Sequence, residues 1–440
     1  MNETYREKSF WLATAGDYQP SPPLAGQVKL DVAIVGGGFT GLSTALALKT
    51  AQPGLEVGIL ESQVIGFGGS GRNAGFAMTT FGLSTTVTKM LHGRDKARDA
   101  LAFAERAVDH LGAMVERYKL QCDYEDVGFL RVATHPGYVK RCQQEIELVQ
   151  GLGFEGFEWL DAEATRARAD SPTYLGAIWE PRMALVNPAK LAWELKRVNL
   201  GLGVKFFEKT PVRKIEQNGS IRLSCPGGVV STDKLVLAAG SFSNLLAPTR
   251  GKQHPAFTHI VLTEPLSQEQ LGQIGWQGRE GLEDARNLLH YYRLTADNRL
   301  LVGGGAAGIT YGDDMDLDRH PPTFEALERF ITRTFPQLAG TKIEHRWGGP
   351  VSVPVDMVPA MGYLGDRKAV YALGYVGHGV SISHLVAEVL KDLVLEQDSE
   401  LSRHWFVNRK TLPWPPEPFA YVVAHLMRAA LTAEDWWYER

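Results

Sequence analysis

The hydrophobic residues of the chain follow two alternating patterns, one with the spacing of buried strands and one with the spacing of helices. Short apolar and β-branched runs predict buried strands at residues 30–35, 57–60, 234–238 and 370–373. Small and apolar residues at helical spacing fill residues 39–49, between the first two strands. Residues 30–61 therefore predict a strand–helix–strand unit with parallel strands.

Longer periodic stretches predict further elements. Amphipathic helices are expected at residues 93–120, 137–152 and from residue 380 to about 396. Strand-like patterns occupy residues 128–134, 204–212, 220–230, 259–263, 288–295 and 299–303. We therefore predict an α/β protein whose parallel sheet is assembled from distant segments, with β-rich segments between them.

A glycine-rich loop joins the first predicted strand to the first helix. Gly36, Gly38 and Gly41 have the spacing in which the first glycine permits a sharp turn, the second admits a pyrophosphate and the third packs helix on strand. The start of the helix offers free N–H groups and partial positive charge to phosphates. Glu61, placed 20 residues later, is suited to bind ribose hydroxyls. This combination favours dinucleotide binding over a structural turn.

A second glycine-rich stretch, residues 66–75, carries Ser70, Arg72 and Asn73. Such a composition is typical of a backbone that wraps closely around a ligand, and the alternative is a flexible surface loop. Its position just after Glu61 favours ligand contact. Arg72 has two open roles, a positive charge beside the cofactor or a structural ion pair.

Two later strands also end in small residues. The strand at 234–238 leads into Ala239 and Gly240, and the alternative is an ordinary buried parallel strand without a ligand. The last strand leads to Gly377, His378 and Gly379, ahead of a helix whose start would stabilise negative charge on a redox cofactor. His378 between two glycines is not a packed core residue. It contacts cofactor or substrate, or it is a plain turn residue.

Composition limits the number of domains, the kind of partner and the cellular location that we expect. A chain of 440 residues has room for two domains, and a net charge of −4 gives no basic face for nucleic acid. Three cysteines without metal-like spacing suit a reducing compartment, so we expect no metal site and a cytoplasmic protein. Residues 1–27 lack the apolar core of a signal peptide, and no transmembrane segment is expected.

The motifs, in this order over about residues 30–400, resemble the D-amino-acid oxidase superfamily of FAD enzymes, closest to the glycine/sarcosine oxidase and γ-glutamylputrescine oxidase group. The resemblance is carried by the loop at 36–41 with Glu61, by residues 70–75, by Ala239-Gly240, by residues 293–305 and by residues 377–379. It fits a discontinuous FAD-binding Rossmann-like domain (residues 1–121, 181–250 and 346–400), a β-sheet-rich substrate domain (122–180 and 251–345) and a C-terminal strap and helix (401–440).

The resemblance also implies a chemistry. Members of the superfamily oxidise an amine to an imine by hydride transfer to flavin N5, water hydrolyses the imine, and oxygen or another acceptor reoxidises the flavin. Relatives with tethered FAD carry a cysteine or histidine where residues 346–352 and 66–75 have none, so we expect non-covalent FAD. No lysine lies between Lys252 and Lys342, the segment expected over the flavin, so oxidase and dehydrogenase activity both stay open.

By analogy with the family, the backbone at Val212 is expected to contact the adenine. The predicted cofactor-binding residues are Gly36, Gly38, Phe39, Thr40, Gly41, Glu61, Ser62, Gly69, Ser70, Gly71, Arg72, Asn73, Ala74, Val212, Ala239, Gly240, Gly374, Gly377, His378, Gly379 and Val380.

The substrate pocket is expected to come from the second domain. Strand alternation places Tyr291 and Arg293 on one face and Tyr292 on the other. Tyr291 would limit water and Arg293 would pair with an anionic group of the substrate. The alternative for both is a structural role, and it applies equally to His259 on a neighbouring strand. The candidate catalytic residues are His378, Arg72, Tyr291, Arg293 and His259.

Prolines at residues 413–418 predict an extended strap, followed by a helix with an apolar stripe. This helix packs on the body of the protein, or it makes a homodimer or membrane-surface contact. We expect the substrate to be a small primary or secondary amine, such as an amino acid, an N-methyl amino acid, a γ-glutamyl polyamine or an aminophosphonate. The alternatives are a dehydrogenase of a hydroxy compound and a flavin-binding protein without turnover.

Overall fold

The computed structural model describes residues 5–440, apart from the side chain of Asn218; residues 1–4 of the predicted first FAD-binding segment lie outside the described residues. Its helices are α1 (Phe10–Thr14), α2 (Phe39–Ala51), α3 (Thr85–His92), α4 (Arg94–Tyr118), α5 (Pro136–Gly151), α6 (Ala162–Arg166), α7 (Pro188–Gly201), α8 (Gln268–Ile274), α9 (Pro321–Thr334), α10 (Gly379–Val394) and α11 (Phe419–Tyr438).

Strands make up three sheets. They are β1 (Gly26–Val35), β2 (Val57–Leu60), β3 (Phe76–Ala77), β4 (Glu125–Asp126), β5 (Phe129–Ala133), β6 (Glu158–Asp161), β7 (Gly176–Glu180), β8 (Ala184–Leu185), β9 (Lys205–Phe207), β10 (Lys214–Asn218), β11 (Ser220–Cys225), β12 (Gly228–Leu237), β13 (His254–Pro265), β14 (Gly281–Asp284), β15 (His290–Leu294), β16 (Arg299–Ile309), β17 (Ile343–Val353), β18 (Ala360–Leu364) and β19 (Asp366–Leu373).

The first sheet has a parallel core in the order β9–β2–β1–β12–β19, which confirms the predicted strand–helix–strand unit. Val35 is in register with Leu60 and Leu237, so three strands end at the same edge. Alternate residues face two cores: Ile34 packs towards the helices α2, α7 and α10, and Ala33 towards the side of β10 and β11. Burial of both faces explains why these strands are continuously apolar.

The second sheet has the order β17–β13–β16–β15–β14–β5–β7–β6. On one face, Leu282, Tyr292 and Val302 pack with Phe330 of α9. The opposite face carries Tyr291 and lies towards the first sheet. The third sheet is small and consists of β3, β8 and β4.

The strands of the first sheet come from residues 26–60, 205–237 and 360–373, and those of the second from residues 129–180 and 254–353. β17 thus crosses the boundary predicted at residue 346. Each of the two large sheets is built from segments that are far apart along the chain. The chain therefore passes from one sheet to the other several times.

The C-terminal segment packs along the body of the protein. In the strap, Trp414 Nε1 donates to the carbonyl of Val353 at 2.9 Å. Further on, Arg428 of α11 donates to the carbonyl of Ala307 at 2.9 Å, and Asp435 accepts the N–H of Asn287 at 2.7 Å. Helix α11 is therefore fixed at both ends and in the middle. Within residues 5–440, no helix has the length and apolar character needed to cross a membrane.

Candidate active site

A cavity of about 730 Å³ begins where β1, β2 and β12 end and reaches the inner face of the second sheet. Gly36, Glu61 and Ala239 line the end at the first sheet, and Tyr291 and Gly304 line the other. Ligands of open parallel sheets bind at this edge, because the loops after the strands leave a crevice there. The cavity joins the three glycine-bearing segments that are distant in sequence.

The Gly36–Gly41 loop owes its shape to close backbone contacts. Gly36 has φ +114°, and a Cβ there would lie 2.5 Å from the carbonyl oxygen of Ala238. A Cβ on Gly41 would lie 2.0 Å from the carbonyl oxygen of Gly36. Any side chain at either position would therefore push the loop away from β12 or α2 away from β1.

The helix start behind this loop is open to a ligand. Gly38 is the N-cap residue of α2 and supplies no side chain to cap it. Ser70 Oγ accepts the N–H of Phe39 at 3.0 Å, which ties the second glycine-rich stretch to the helix start. Other N–H groups of the first turn are suited to an anion, and the helix dipole adds to the attraction.

Glu61 is held in place by backbone donors at the end of β2. Its Oε2 accepts the N–H of Gly37 at 2.8 Å, and its Oε1 accepts the N–H of Gln63 at 2.9 Å. Burial raises the pKa of this carboxyl group, although both N–H groups oppose the rise. The carboxylate is thus pre-positioned beside the glycine loop, as a ribose-binding group requires.

Arg72 lies in the cavity wall, with its charge already compensated. Its Nη1 donates to Asp318 Oδ1 at 2.6 Å, and its Nε donates to the carbonyl of Phe67 at 3.0 Å. Burial lowers the pKa of the guanidinium, and Asp318 opposes this effect. Arg72 thus forms the structural ion pair that was one of its two predicted roles, and its side chain also borders the cavity, so its catalytic role stays a prediction.

His378 faces the cavity at the start of α10. Its Nδ1–H donates to the carbonyl of Gly82 at 2.9 Å. Burial lowers the pKa of the imidazole to about 4, so the ring is neutral near pH 7. A neutral ring that donates through Nδ1 leaves Nε2 as a hydrogen-bond acceptor.

A model of the family described as FAD dependent oxidoreductase matches residues 31–393. The chain belongs to this family. Gamma-glutamylputrescine oxidoreductase of Escherichia coli is 33% identical over 417 residues, which cover 94% of each chain. The probable oxidoreductase OrdL of Haemophilus influenzae is 28% identical over 413 residues, covering 91% of this chain and 92% of its own. The predicted membership of the D-amino-acid oxidase superfamily is confirmed.

Solved structures agree on the fold. Glycine oxidase from Geobacillus kaustophilus superimposes with a TM-score of 0.74 at 20% identity, over 87% of this chain and 100% of that one. L-proline dehydrogenase from P. horikoshii gives 0.73 at 20% identity, over 87% and 97%. These structures confirm the predicted Rossmann-like fold, and the family match over residues 31–393 makes the chain an FAD-dependent oxidoreductase.

The cavity residues of this FAD-dependent oxidoreductase fit the cofactor. Helices α2 and α10 each follow a buried strand. Their N-cap residues, Gly38 and His378, make no side-chain hydrogen bond to the helix start. Glu61 would hold the ribose, the start of α2 the pyrophosphate, and the start of α10 the flavin ring. The predicted cofactor residues that line the cavity are Gly36, Gly38, Phe39, Thr40, Glu61, Ser62, Gly69, Ser70, Arg72, Asn73, Ala74, Val212, Ala239, Gly240, Gly377, His378, Gly379 and Val380.

Three predicted cofactor residues do not line the cavity, namely Gly41, Gly71 and Gly374. Their role is close packing instead. A Cβ on Gly71 would lie 2.3 Å from the carbonyl oxygen of Gly66, and one on Gly374 would lie 2.3 Å from Pro354 Cγ. These glycines shape the backbone behind the cavity wall, and their contact with the cofactor stays a prediction.

Tyr291 lines the cavity as expected, but Arg293 and His259 do not. Arg293 is fully buried beyond the cavity, where its Nη1 donates to the carbonyl of Val186 at 2.8 Å and burial lowers its pKa to about 10. His259 Nε2 donates to the carbonyl of Leu317 at 2.9 Å. Both side chains are structural, so their proposed contact with the substrate is corrected.

Several residues that line the cavity were not predicted from the sequence. β17 contributes residues 349–353, the loop before β15 contributes residues 287–289, and α11 contributes Ala424, Met427, Arg428 and Leu431. Glu283 of β14 also lines the cavity. Arg428 had one available signal, because it is a charged residue within a run of apolar neighbours, whereas Glu283 is followed by Asp284 and had no such signal.

Proposed function

We propose that this protein uses FAD to oxidise a primary or secondary amine to an imine. The observation that carries the proposal is the continuity of the cavity from the FAD-type cradle to a pocket walled by Phe76, Met78 and Tyr291. Bound FAD would accept the hydride at N5, and the imine would hydrolyse to a carbonyl compound. Relatives named for amine substrates, including sarcosine oxidase subunit beta of Rhodobacter capsulatus, support this choice.

The side chains of the pocket suit positioning rather than covalent catalysis. Phe76 and Met78 are buried, and Tyr291, whose pKa burial raises to about 12, stays protonated. Together they exclude water from the reacting bond and orient the substrate, which accounts for much of the acceleration in hydride transfer. Neutral His378 offers Nε2 to a substrate N–H. No nucleophilic side chain is required.

The finer proposal is a substrate with a distal carboxylate, such as a γ-glutamyl diamine. Arg428 of α11 lines the cavity, and its Nη1 donates to the carbonyl of Ala307. Within residues 5–440, Arg428 has no carboxylate partner. A guanidinium with free donors at the edge of a binding cavity suits a carboxylate. The 33% identity to gamma-glutamylputrescine oxidoreductase supports the same substrate class.

Anaerobic mixing of the holoenzyme with a substrate panel tests both the oxidation of amines and the preference for a distal carboxylate. We expect amines to bleach the flavin absorbance near 450 nm, a wavelength typical of oxidised flavin, whereas 2-hydroxy acids and glycerol phosphate leave it unchanged. Within the amines, γ-glutamylputrescine should react at lower concentration than putrescine, which lacks the carboxylate. Bleaching by hydroxy compounds alone would support the dehydrogenase alternative, and no bleaching at all would refute turnover.

The rate of flavin reduction is expected to rise with pH between about 6 and 10, because only the neutral amine has the nitrogen lone pair that assists hydride departure. Burial lowers the pKa of His378 to about 4, so this histidine is already neutral throughout that pH range. Its ionisation therefore does not contribute to the rise in rate. Stopped-flow reduction of the holoenzyme by an alkylamine measures the profile. A β-fluorinated analogue is less basic, so the rise in its rate of flavin reduction should occur at lower pH. A flat profile would contradict the mechanism.

A further inference from the structure

The charged groups of the cavity divide into those with an assigned partner and those without. Within the described chain, the charged lining residues are Glu61, Arg72, Arg213, Glu283 and Arg428. Glu61 lies at the ribose end, Arg72 is paired with Asp318, and Arg213 follows Val212 at the predicted adenine end. Glu283 is therefore the one carboxylate at the end of the cavity formed by the second sheet.

Strand geometry directs Glu283 into the cavity. Glu283 of β14 is directly opposite Tyr291 of β15, and residues opposite each other in an antiparallel pair project from the same face. Tyr291 lines the cavity, while Leu282 and Tyr292 pack together on the opposite face of the sheet. Only 3% of Glu283 is exposed, so the carboxylate is buried at the substrate end.

One oxygen of Glu283 is satisfied and the other is not. Oε1 accepts the Nε–H of Arg131 at 2.6 Å. Within residues 5–440, Oε2 has no hydrogen-bond donor. Oε2 is not one of the fully buried polar atoms, and Glu283 lines the cavity, so this oxygen is open to a cationic or N–H-bearing ligand.

The charge around Glu283 remains negative. Arg131 also donates to Glu145 of α5, so one guanidinium serves two carboxylates. Asp284, the next residue, is paired with His290 and Arg286, so Arg286 does not compensate the charge of Glu283. Burial raises the pKa of Glu283, and Arg131 opposes this rise. With both carboxylates ionised, the cluster of Glu283, Arg131 and Glu145 has one excess negative charge.

The cluster lies at the reactive end of the cavity. The positive charge of Arg131 acts on His378, the residue that begins α10 beside the expected flavin ring. Tyr291, on the neighbouring strand, belongs to the wall of the same pocket. Glu283 and His378 are therefore both within electrostatic range of the same guanidinium and border the same space.

We propose that Glu283 Oε2 binds the ammonium group of the substrate and makes the pocket selective for cationic amines over anionic ligands. The proposal rests on the proposed amine oxidation and specifies which residue recognises the amine. It also implies that an α-carboxylate next to the reacting carbon is disfavoured, because Arg293 is sequestered by carbonyl groups. The preferred substrate binds as an ammonium beside Glu283, gives one proton to Glu283 Oε2 and then reacts as the neutral amine. Any carboxylate that it carries lies far from the flavin.

Three ligands of nearly the same shape test this proposal: tert-butylamine, tert-butanol and pivalate. In each ligand the carbon that bears the polar group has no hydrogen to lose as hydride, so binding is measured without turnover. Calorimetry and perturbation of the flavin spectrum measure it. We expect the holoenzyme to bind tert-butylamine about tenfold or more tightly than tert-butanol, and pivalate most weakly. Glu283→Gln should reduce the preference for tert-butylamine to within about threefold.

Glu145→Gln is the matched control, because it removes a carboxylate from the same guanidinium but Glu145 does not line the cavity. It should keep the wild-type order of affinities. A wild-type holoenzyme that prefers tert-butanol or pivalate would overturn the proposal without any variant, and so would a Glu283→Gln variant that keeps the preference. Failure of amines to bleach the flavin is a separate outcome, which would refute the amine-oxidation proposal instead.

Discussion

Replacement of Gly36 by alanine is expected to give a protein that purifies with little or no FAD and unfolds at lower urea concentration. Gly36 has φ +114°, and the new Cβ would lie 2.5 Å from the carbonyl oxygen of Ala238. The backbone strain and the overlap together should lower the free energy of unfolding by about 3 kcal/mol. The loop must move away from β12, so the pyrophosphate site would be lost. The ratio of flavin to protein absorbance and urea unfolding measure both effects.

Gly16→Ala separates strain from overlap. Gly16 has φ +122°, nearly the same as Gly36, but a Cβ there meets no atom within 4 Å. It should cost only the backbone term, about 1 kcal/mol, and leave the flavin content unchanged. If Gly36→Ala behaves like Gly16→Ala, the tight contact of the loop with β12 is not required for FAD binding.

Lys196→Met is expected to be the most destabilising single substitution outside the glycines. Lys196 Nζ donates to Glu208 Oε2 at 2.5 Å, with 6% and 0% of the two side chains exposed. Glu208 also accepts the hydroxyl of Tyr18 at 2.6 Å and the N–H of Ile65 at 2.8 Å. Removal of the cation would leave a buried carboxylate uncompensated, which costs about 3–5 kcal/mol of unfolding free energy. Chemical denaturation measures the loss.

Lys190→Met on the same helix is the control for this substitution. Lys190 Nζ pairs with Asp123 at 2.8 Å, but 33% and 27% of these side chains are exposed. A pair open to solvent contributes less than about 1 kcal/mol. Equal effects of the two substitutions would show that burial of the Lys196–Glu208 pair is not what stabilises this region.

Local patterns predicted the parallel sheet well. Strands β1, β2, β12 and β19 are buried on both faces, so continuous apolar runs mark them in the sequence. Helix α7 was missed, although Asn187 caps it and Pro188 begins it, because its mixed outer surface weakens the periodic signal. The amphipathic helix α9 was also missed.

The cofactor side of the site was predictable because its chemistry depends on local spacing, as in the loop at 36–41. The substrate side was not, because it depends on which sheet face and which depth a residue occupies. Tyr291 and Arg293 share a face, but the cavity ends between them and Arg293 is enclosed by carbonyl groups. Glu283 lies in a strand of four residues, too short for alternation to show that it points inward.

Helix α11 lines the cavity, although it belongs to neither of the two large sheets. It can therefore separate locally from the body of the protein while both sheets stay intact. We expect such separation to open a side passage into the cavity, so that the rate at which FAD leaves follows local opening of this helix rather than global unfolding.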